Sequence, residues 1–362
     1  MHKLSSLQAA RGLAAISVVA FHSLFINAMY VAGESILPDI FIFGQTGVDL
    51  FFVISGFVMI VAFHNKLCDR GQLANFLKGR FFRIYPTYWV YIAALAAVYL
   101  VKPGMINAST NSSVDLVTSF LLLPDDSLPL LMVAWSLVHE VWFYLVFAGI
   151  LLLPPSWCGR AFALWFLAVA AAAVLLPVPA DPYLRIAAHP FTLEFIMGAF
   201  AGLAYLRVKE RSLSTLIIGA AGLFVGLIGL AYSIRTDVVD GSDVISSISL
   251  ERAFAVGGSY ALVLLGVALY ERSQGWRMPK PLTFIGDISY SLYLSHILTL
   301  SLFGRVWNTV GTSGSPRVAA IVFWLAASVA VIVIAYLSYR LVERPVLKYS
   351  SSRRPTVNAR HV

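Results

Sequence analysis

The run Leu7–Ile26, LQAARGLAAISVVAFHSLFI, is twenty residues long and contains only two ionisable side chains, Arg11 and His22. A mostly apolar run of about twenty residues is long enough to cross the hydrocarbon core of a bilayer as one helix. Ionisable groups in such a span are costly, and they usually face a protein interior or a water-filled cavity. At a rise of about 1.5 Å per residue, Arg11 and His22 lie roughly 16 Å apart along this helix. We therefore expect the helix to carry chemistry.

The composition of the whole chain is typical of a membrane protein. Of the 362 residues, 59% are hydrophobic and 12% are charged, and the mean hydropathy is +0.81. These values lie outside the range of soluble domains and exclude a large water-soluble enzyme domain. We predict an all-α membrane protein, a bundle of about ten transmembrane helices. The predicted spans are 7–30, 45–63, 84–101, 134–153, 161–177, 190–206, 213–233, 253–270, 284–304 and 318–340.

The basic residues predict how the chain is oriented. With the N-terminus in the cytoplasm, the inner segments hold twenty of the 26 Lys and Arg residues. The outer ones are Lys102, Arg185, Arg235, Arg252, Arg305 and Arg317. The positive-inside rule then places both termini in the cytoplasm. Because topology explains the net charge of +8, no nucleic-acid partner is expected. We expect 1–345 to form a single integral-membrane domain and 346–362 a basic cytoplasmic tail.

A second concentration of polar groups lies in the fourth predicted span. Glu140 is flanked there, at helical spacing, by Trp135, Ser136 and Tyr144. Counted from the outer surface, Glu140 lies about 9 Å deep, close to the depth of His22, so we expect the two to meet. A carboxylate beside an imidazole holds its tautomer and stabilises the imidazolium, which makes the histidine an effective base. The alternative is a neutral Glu140 that only ties helices together.

Arg80 and Arg83 are three residues apart and share one face of the third predicted span. Two guanidiniums on one face can clamp a phosphate, because each offers a planar fork of donors. Alternatively, they are inner-surface residues that follow the positive-inside rule and snorkel. Tyr85 follows in an interfacial aromatic belt, and we group it with the two arginines as a candidate donor-binding residue.

The remaining polar residues of the spans have several interpretations. Asp49 either caps the second span or binds substrate, Glu194 either lines the same cavity or pairs with Arg185, and His139 is expected to be interfacial. The ninth span is unusually polar, and such a face lines a protein interior and not lipid. Its polar residues are Asp287, Ser289, Tyr290, Ser291, Tyr293 and His296. Neither Cys68 nor Cys158 has partners suited to a metal site, so none is expected.

Taken together, these motifs resemble one family. They are Arg11 with His22, Gly47–Phe52 with Ser55-Gly56-Phe57, Arg80-x-x-Arg83, Trp135-Ser136-Leu137 with Glu140 and Phe143-Tyr144, Ser289–His296, and Glu343-Arg344-Pro345. In this order the chain resembles the acyltransferase family 3 integral-membrane O-acyltransferases, of the bacterial exopolysaccharide acetyltransferase type. The resemblance implies transfer of an acyl group, usually acetyl from acetyl-CoA, to a sugar hydroxyl of an exported or envelope glycan. By motif match, His22 and Arg11 are the essential pair, Glu140 is a further functional residue, and Arg80 with Arg83 is the cytoplasmic arginine motif.

These observations combine into one hypothesis and one alternative. In the hypothesis, Arg80 and Arg83 bind CoA phosphates, and His22, oriented by Glu140, acts as general base or as an acyl carrier. The candidate substrate-binding residues are Asp49, Trp135, Ser136, Tyr144, Tyr290, Tyr293 and His296. The expected partners are acyl-CoA, a glycan or lipid-linked oligosaccharide, and the lipid of a bacterial cytoplasmic membrane. The alternative is a proton-coupled transporter in which His22, Glu140 and Asp49 form a relay.

Overall fold

The regular secondary structure of the residues described below is helical. The computed structural model describes residues 4–31, 35–63, 70–105, 114–208, 212–236, 238–239, 248–310 and 315–352. Ten helices of these ranges have sixteen or more residues: α1 (Ser5–Tyr30), α2 (Gly47–Phe63), α3 (Arg70–Val101), α5 (Trp135–Ile150), α6 (Pro155–Leu175), α8 (Phe191–Arg207), α9 (Leu213–Arg235), α11 (Ser259–Gln274), α12 (Lys280–Val310) and α13 (Pro316–Ser338). The shorter helices are α4 (Leu116–Leu121), α7 (Pro182–Ala188), α10 (Leu250–Arg252) and α14 (Arg344–Ser352).

Eight helical segments of the described chain are long and apolar enough to cross a membrane. They confirm eight of the ten predicted spans, and the chain is a multi-pass membrane protein. The prediction at 161–177 corresponds to a shorter apolar stretch of α6, Gly159–Leu175. The prediction at 284–304 falls on α12, which has 31 residues but is not among the eight. The polar face of α12 lowers the mean hydropathy of this helix, as expected of a helix that faces protein.

Glycines bring α2 and α8 into backbone contact. A Cβ atom on Gly56 would lie 1.9 Å from the carbonyl oxygen of Phe195, and one on Gly198 would lie 2.0 Å from that of Val53. Neither position therefore accepts a side chain while the helices stay in place. The ring of Phe52 on α2 packs 4.6 Å from that of Phe195, centre to centre. This contact fixes one wall of the site described below.

Helices α1 and α12 lie side by side and run in the same direction. Arg11 on α1 donates through Nε to the hydroxyl of Ser289 on α12, at 3.3 Å. Further along both helices, Nδ1 of His22 lies 3.2 Å from Nε2 of His296. The two polar residues that mark α1 in the sequence are thus both matched by partners from the polar face of α12.

The segment predicted as a basic tail begins within a helix. Residues 346–352 belong to α14, and the ring of Tyr349 lies 6.1 Å from that of Phe82 on α3. This part of the segment therefore contacts the bundle. Residues 353–362 and Cys68, about which the sequence also makes predictions, lie outside the described residues.

Candidate active site

A cavity lined by three arginines lies among α1, α2, α3, α5 and α12. Together with its mouth it encloses about 730 Å³ of empty space. Along α2 it extends from Val48 to Met59, eleven residues or about 16 Å of helix. Its polar lining consists of Arg11, Ser55, Arg80, Arg83, Ser136, Glu140, Tyr144, Tyr290 and Tyr293, and the rest of the wall is apolar. The cavity thus brings together eight of the thirteen residues that the sequence predicts for the site.

Arg80 has unused hydrogen-bonding capacity at the cavity. Its guanidinium lies over two aromatic rings, 5.7 Å from the centre of Phe76 and 5.4 Å from that of Tyr144. Its Nε is buried and has no hydrogen-bond partner in the described part of the chain. A buried N–H group without a partner is uncommon in folded proteins and marks a place where a ligand acceptor fits.

Arg83 is held by a residue to which the sequence analysis assigned no role. Its Nη1 donates to the carboxylate of Glu343 at 2.6 Å, and the other carboxylate oxygen accepts from Ser291 at 2.7 Å. Glu343 is only 1% exposed. It closes the π-helical turn Tyr339–Glu343, and such wide turns are frequent at functional sites. Glu343 therefore fixes one edge of the Arg83 guanidinium, while the side chain of Arg83 still lines the cavity.

Glu140 lies at the arginine end of the cavity and does not meet His22. Its carboxylate accepts a hydrogen bond from Ser55 at 3.0 Å and another from the hydroxyl of Tyr144. Arg11 lines the same space and is close enough to attract this carboxylate. His22, eleven residues further along α1, is not in the cavity lining. Glu140 thus bonds to Ser55 and Tyr144 and shares the cavity lining with the three arginines, in place of the expected contact with His22.

The partner of His22 is His296, and their hydrogen bonds define both tautomers. Nδ1 of His296 lies 2.7 Å from the carbonyl oxygen of Tyr293, which only accepts, so this nitrogen carries the hydrogen. In the neutral ring, Nε2 of His296 then accepts from Nδ1 of His22, which also lies 3.0 Å from the carbonyl oxygen of Val18. Nε2 of His22 is left with its lone pair, and it has no hydrogen-bond partner among the residues described. The pair therefore presents one free basic nitrogen.

Tyr293 stands between the cavity and the histidine pair. Its ring centre lies 5.9 Å from that of His296 and 5.8 Å from that of Phe51, which also lines the cavity. Its hydroxyl bonds to Ser136 at 2.7 Å and to the carbonyl oxygen of Val133 at 2.8 Å. Tyr290, Tyr293 and His296 follow one another at helical spacing on α12. The histidine pair thus continues the line of the cavity, behind the rings of Tyr293 and Phe51.

Two further candidate residues face away from the cavity. Tyr85 donates from its hydroxyl to the carbonyl oxygen of Leu121 at 3.0 Å and stacks on Phe81, with ring centres 5.2 Å apart. Trp135 lies one residue before Ser136 on α5 but lines a different pocket, together with His139. His139 is buried among protein side chains, with 8% of its surface exposed. The sequence did not determine the direction in which these side chains point.

Asp49 belongs to a separate buried cluster. Its two carboxylate oxygens accept from Nε and Nη2 of Arg252 at 3.2 and 3.0 Å, and Nη1 of Arg252 donates to Gln45 at 3.0 Å. Glu194 is fully buried beside Asp49. Glu194 neither lines the cavity nor pairs with Arg185, because Arg185 bonds to Asp126 at 2.8 Å. Asp49 is thus engaged in an ion pair, away from the cavity.

Comparison with known proteins identifies the family. Residues 4–340 match the acyltransferase domain family. The chain is 30% identical over 329 residues to the exopolysaccharide production protein ExoZ of Rhizobium meliloti, covering 87% of this chain and 93% of that protein. It is 26% identical to the peptidoglycan O-acetyltransferase OatA of Listeria monocytogenes, covering 95% and 56%, and 26% identical to the acyltransferase MdmB of Streptomyces mycarofaciens, covering 99% and 95%. No solved structure matches the chain. This chain therefore belongs to acyltransferase family 3 and is a membrane-bound acyltransferase.

Proposed function

We propose that the protein transfers an acyl group, in the simplest case acetyl, from cytoplasmic acyl-CoA to a sugar hydroxyl of an exported or cell-envelope polysaccharide. The observation that carries this proposal is the arginine-lined cavity, whose far end at Tyr293 adjoins the His22–His296 pair. Two relatives support the choice of acceptor, because one is named for exopolysaccharide production and the other for O-acetylation of peptidoglycan. The positive-inside rule favours a bacterial cytoplasmic membrane with both termini inside, which places the arginine end of the cavity toward the cytoplasm.

The arginine end suits the polyanionic part of CoA. Arg80 offers an unpaired Nε, and Arg11 and Arg83 line the same space. Guanidiniums bind phosphate through two parallel hydrogen bonds, and they remain charged in a partly buried site. The cavity extends about 16 Å along α2, which is close to the length of a pantetheine arm. A thioester carried on that arm then reaches the far end of the cavity, at Tyr293 and Phe51.

The chemistry assigned to His22 is general base catalysis. Nε2 of His22 takes the proton of the acceptor hydroxyl as its oxygen attacks the thioester carbonyl carbon. The carbon–sulfur bond then breaks, the sulfur leaves with the electron pair as CoA thiolate, and the thiolate takes the proton from His22 to give free CoA. His296 is a positioning residue, since it holds Nδ1 of His22 in its protonated tautomer. In this mechanism the rings of Tyr293 and Phe51 have to turn aside before the thioester meets His22.

The transporter alternative needs a relay through His22, Glu140 and Asp49. In the structure each of the three has its own neighbours: His296 for His22, Ser55 and Tyr144 for Glu140, and Arg252 for Asp49. No hydrogen bond within the described part of the chain joins any two of them. This separation favours the transferase over the relay.

The test is turnover of acetyl-CoA by the purified protein, with the host's own de-O-acylated polysaccharide as acceptor. Free CoA is measured with a thiol reagent, and the acyl group on the glycan is measured by mass spectrometry. His22→Gln should lower kcat by about 10²–10⁴, the usual contribution of a general base. Met29→Leu, an exposed position on the same helix, is the control. Wild-type turnover by His22→Gln contradicts the proposal.

The same assay tests the donor site and the reaction route. Arg80→Gln should raise the KM for acetyl-CoA, whereas Lys78→Gln, exposed on the same helix, should leave it unchanged. An unchanged KM in Arg80→Gln contradicts the phosphate-binding role. Incubation with radiolabelled acetyl-CoA and no acceptor separates the two routes, since direct transfer leaves the protein unlabelled and an acyl-histidine intermediate labels it.

A further inference from the structure

A second pocket lies at the end of the bundle where α5 begins and α7 leads into α8. It is bounded by the loop 123–129 and by Trp135, His139, Arg185 and His189, and with its mouth it encloses about 950 Å³ of empty space. The first turns of α5 separate it from the donor cavity. Trp135 and His139, four residues apart, face the second pocket, whereas the neighbouring Ser136 and Glu140 face the cavity.

His189 brings an unpaired donor to this pocket. It is 3% exposed, and its Nδ1 accepts from the backbone N–H of Phe191 at 3.2 Å. In the neutral ring the hydrogen therefore resides on Nε2, and this buried atom has no hydrogen-bond partner within the described chain. Leaving a buried donor unpaired costs free energy, so such a group calls for a ligand acceptor.

His139 also lacks a polar partner. Its ring makes aromatic contacts, with ring centres 4.7 Å from His189, 5.9 Å from Trp135 and 6.0 Å from Phe52. None of the hydrogen bonds found in the described ranges involves its ring nitrogens. Phe52 also lines the donor cavity, so its ring lies between the two spaces, beside the first turns of α5.

The mouth of the pocket is charged and faces water. Arg185 bonds to Asp126 at 2.8 Å, and the Asp126 side chain is 74% exposed. Desolvation opposes ionisation of Asp125, but hydrogen bonds from Thr118, from the backbone of Asp126 and from Ser127 outweigh it and lower the pKa of Asp125. Asp125 is therefore ionised at neutral pH. An aqueous mouth leads to an interior of aromatic rings with a few unpaired polar groups.

This combination matches the chemistry of a sugar ring. The C–H face of a pyranose is apolar and packs on an aromatic ring such as Trp135, while its hydroxyls supply acceptors and donors for His189 and His139. A few placed polar groups in a mostly apolar pocket determine the orientation of a small ligand. We propose that this pocket is a subsite for a sugar residue of the acceptor glycan, remote from the hydroxyl that reacts. The assignment of this sugar to the acceptor glycan rests on the proposed function, whereas sugar binding itself does not.

The test uses His139→Phe, which keeps the aromatic ring and removes both nitrogens. Because His139 makes no hydrogen bond in the described chain, the variant should unfold at the same temperature as the wild type or higher. The probes are oligosaccharides of graded length from the host's de-O-acylated polysaccharide. For the longer probes, loss of one hydrogen bond should raise KM about five- to tenfold. The KM for acetyl-CoA and turnover of the shortest probe should not change.

Two further variants sharpen the result. His139→Gln keeps a polar side chain and should restore much of the affinity for the longer probes. Leu184→Ala, exposed on α7 and outside the pocket, should behave as the wild type. The proposal is overturned if the KM of His139→Phe equals that of the wild type for every probe. It is also overturned if this KM rises by the same factor for probes of all lengths.

Isothermal titration with the same oligosaccharides separates this inference from the proposed function. If the wild type transfers no acyl group to the probes but binds the longer ones, and His139→Phe weakens that binding, the subsite stands and the proposed function fails. Equal binding by the two proteins, or no binding by either, refutes the subsite whatever the turnover.

Discussion

Replacing Arg252 with Met tests whether Asp49 serves the fold or a substrate. The side chains of Asp49 and Arg252 are 0% and 6% exposed, and they share two hydrogen bonds. Removing one partner of a buried ion pair costs about 3–5 kcal/mol, because the other charge stays buried without compensation. For a chain of 362 residues, an unfolding entropy of about 2.1 cal/mol/K per residue gives about 0.8 kcal/mol/K. The expected loss in Tm is therefore about 4–7 °C.

The measurement is thermal unfolding of the purified variants in one detergent, followed by tryptophan fluorescence. Arg317→Met, at an exposed position near the start of α13, is the matched control. Asp49→Asn should also lower Tm, and the double variant should lose less than the sum of the two single losses. The KM of Asp49→Asn for acetyl-CoA should not change. If Arg252→Met has the same Tm as Arg317→Met, the structural role assigned to the Asp49–Arg252 pair is refuted.

Two other predictions concern helix packing and the donor site. Gly56→Ala should abolish or greatly reduce the yield of monodisperse protein on gel filtration, because its Cβ would lie 1.9 Å from a carbonyl oxygen of α8. Gly149→Ala, whose Cβ meets nothing within 4 Å, is the control, and equal yields contradict the argument. Glu343→Gln should raise the KM for acetyl-CoA about fivefold, since it weakens the charge-assisted hydrogen bond that holds Arg83. The control Glu251→Gln, at an exposed position, should leave the KM for acetyl-CoA unchanged. An unchanged or lower KM in Glu343→Gln contradicts the role assigned to Glu343.

The helices could be predicted well because the length of an apolar run is a local property. Each of the ten predicted spans falls on a helix of the structure. Depth and direction could not be predicted in the same way. A count from the expected surface placed Glu140 level with His22, but helices tilt and begin at different heights, and Glu140 lies with Arg11. The polar face of α12 correctly indicated a protein-facing helix, although the sequence could not name His296 as the partner of His22.

Pairings between distant residues were the least predictable part. The charge pattern assigns Arg252 to the outer basic residues, yet it is buried against Asp49, 203 positions away in the chain. A count of charges reports which side of the membrane a loop occupies and says nothing about contacts across the bundle. The sequence places Glu343 in a motif but predicts no role for it, because only the folded chain brings it to Arg83.

The pairing of α1 with α12 has a consequence for biosynthesis. Arg11 and its partner Ser289 are separated by 278 positions. At about 5–20 residues per second, a ribosome needs roughly 15–55 s to make the intervening chain. During this interval the newly synthesised α1 resides in the membrane or at the insertion machinery without α12, the helix that provides partners for Arg11 and His22. Nascent chains halted before α12 should therefore be favoured targets of membrane quality-control proteases.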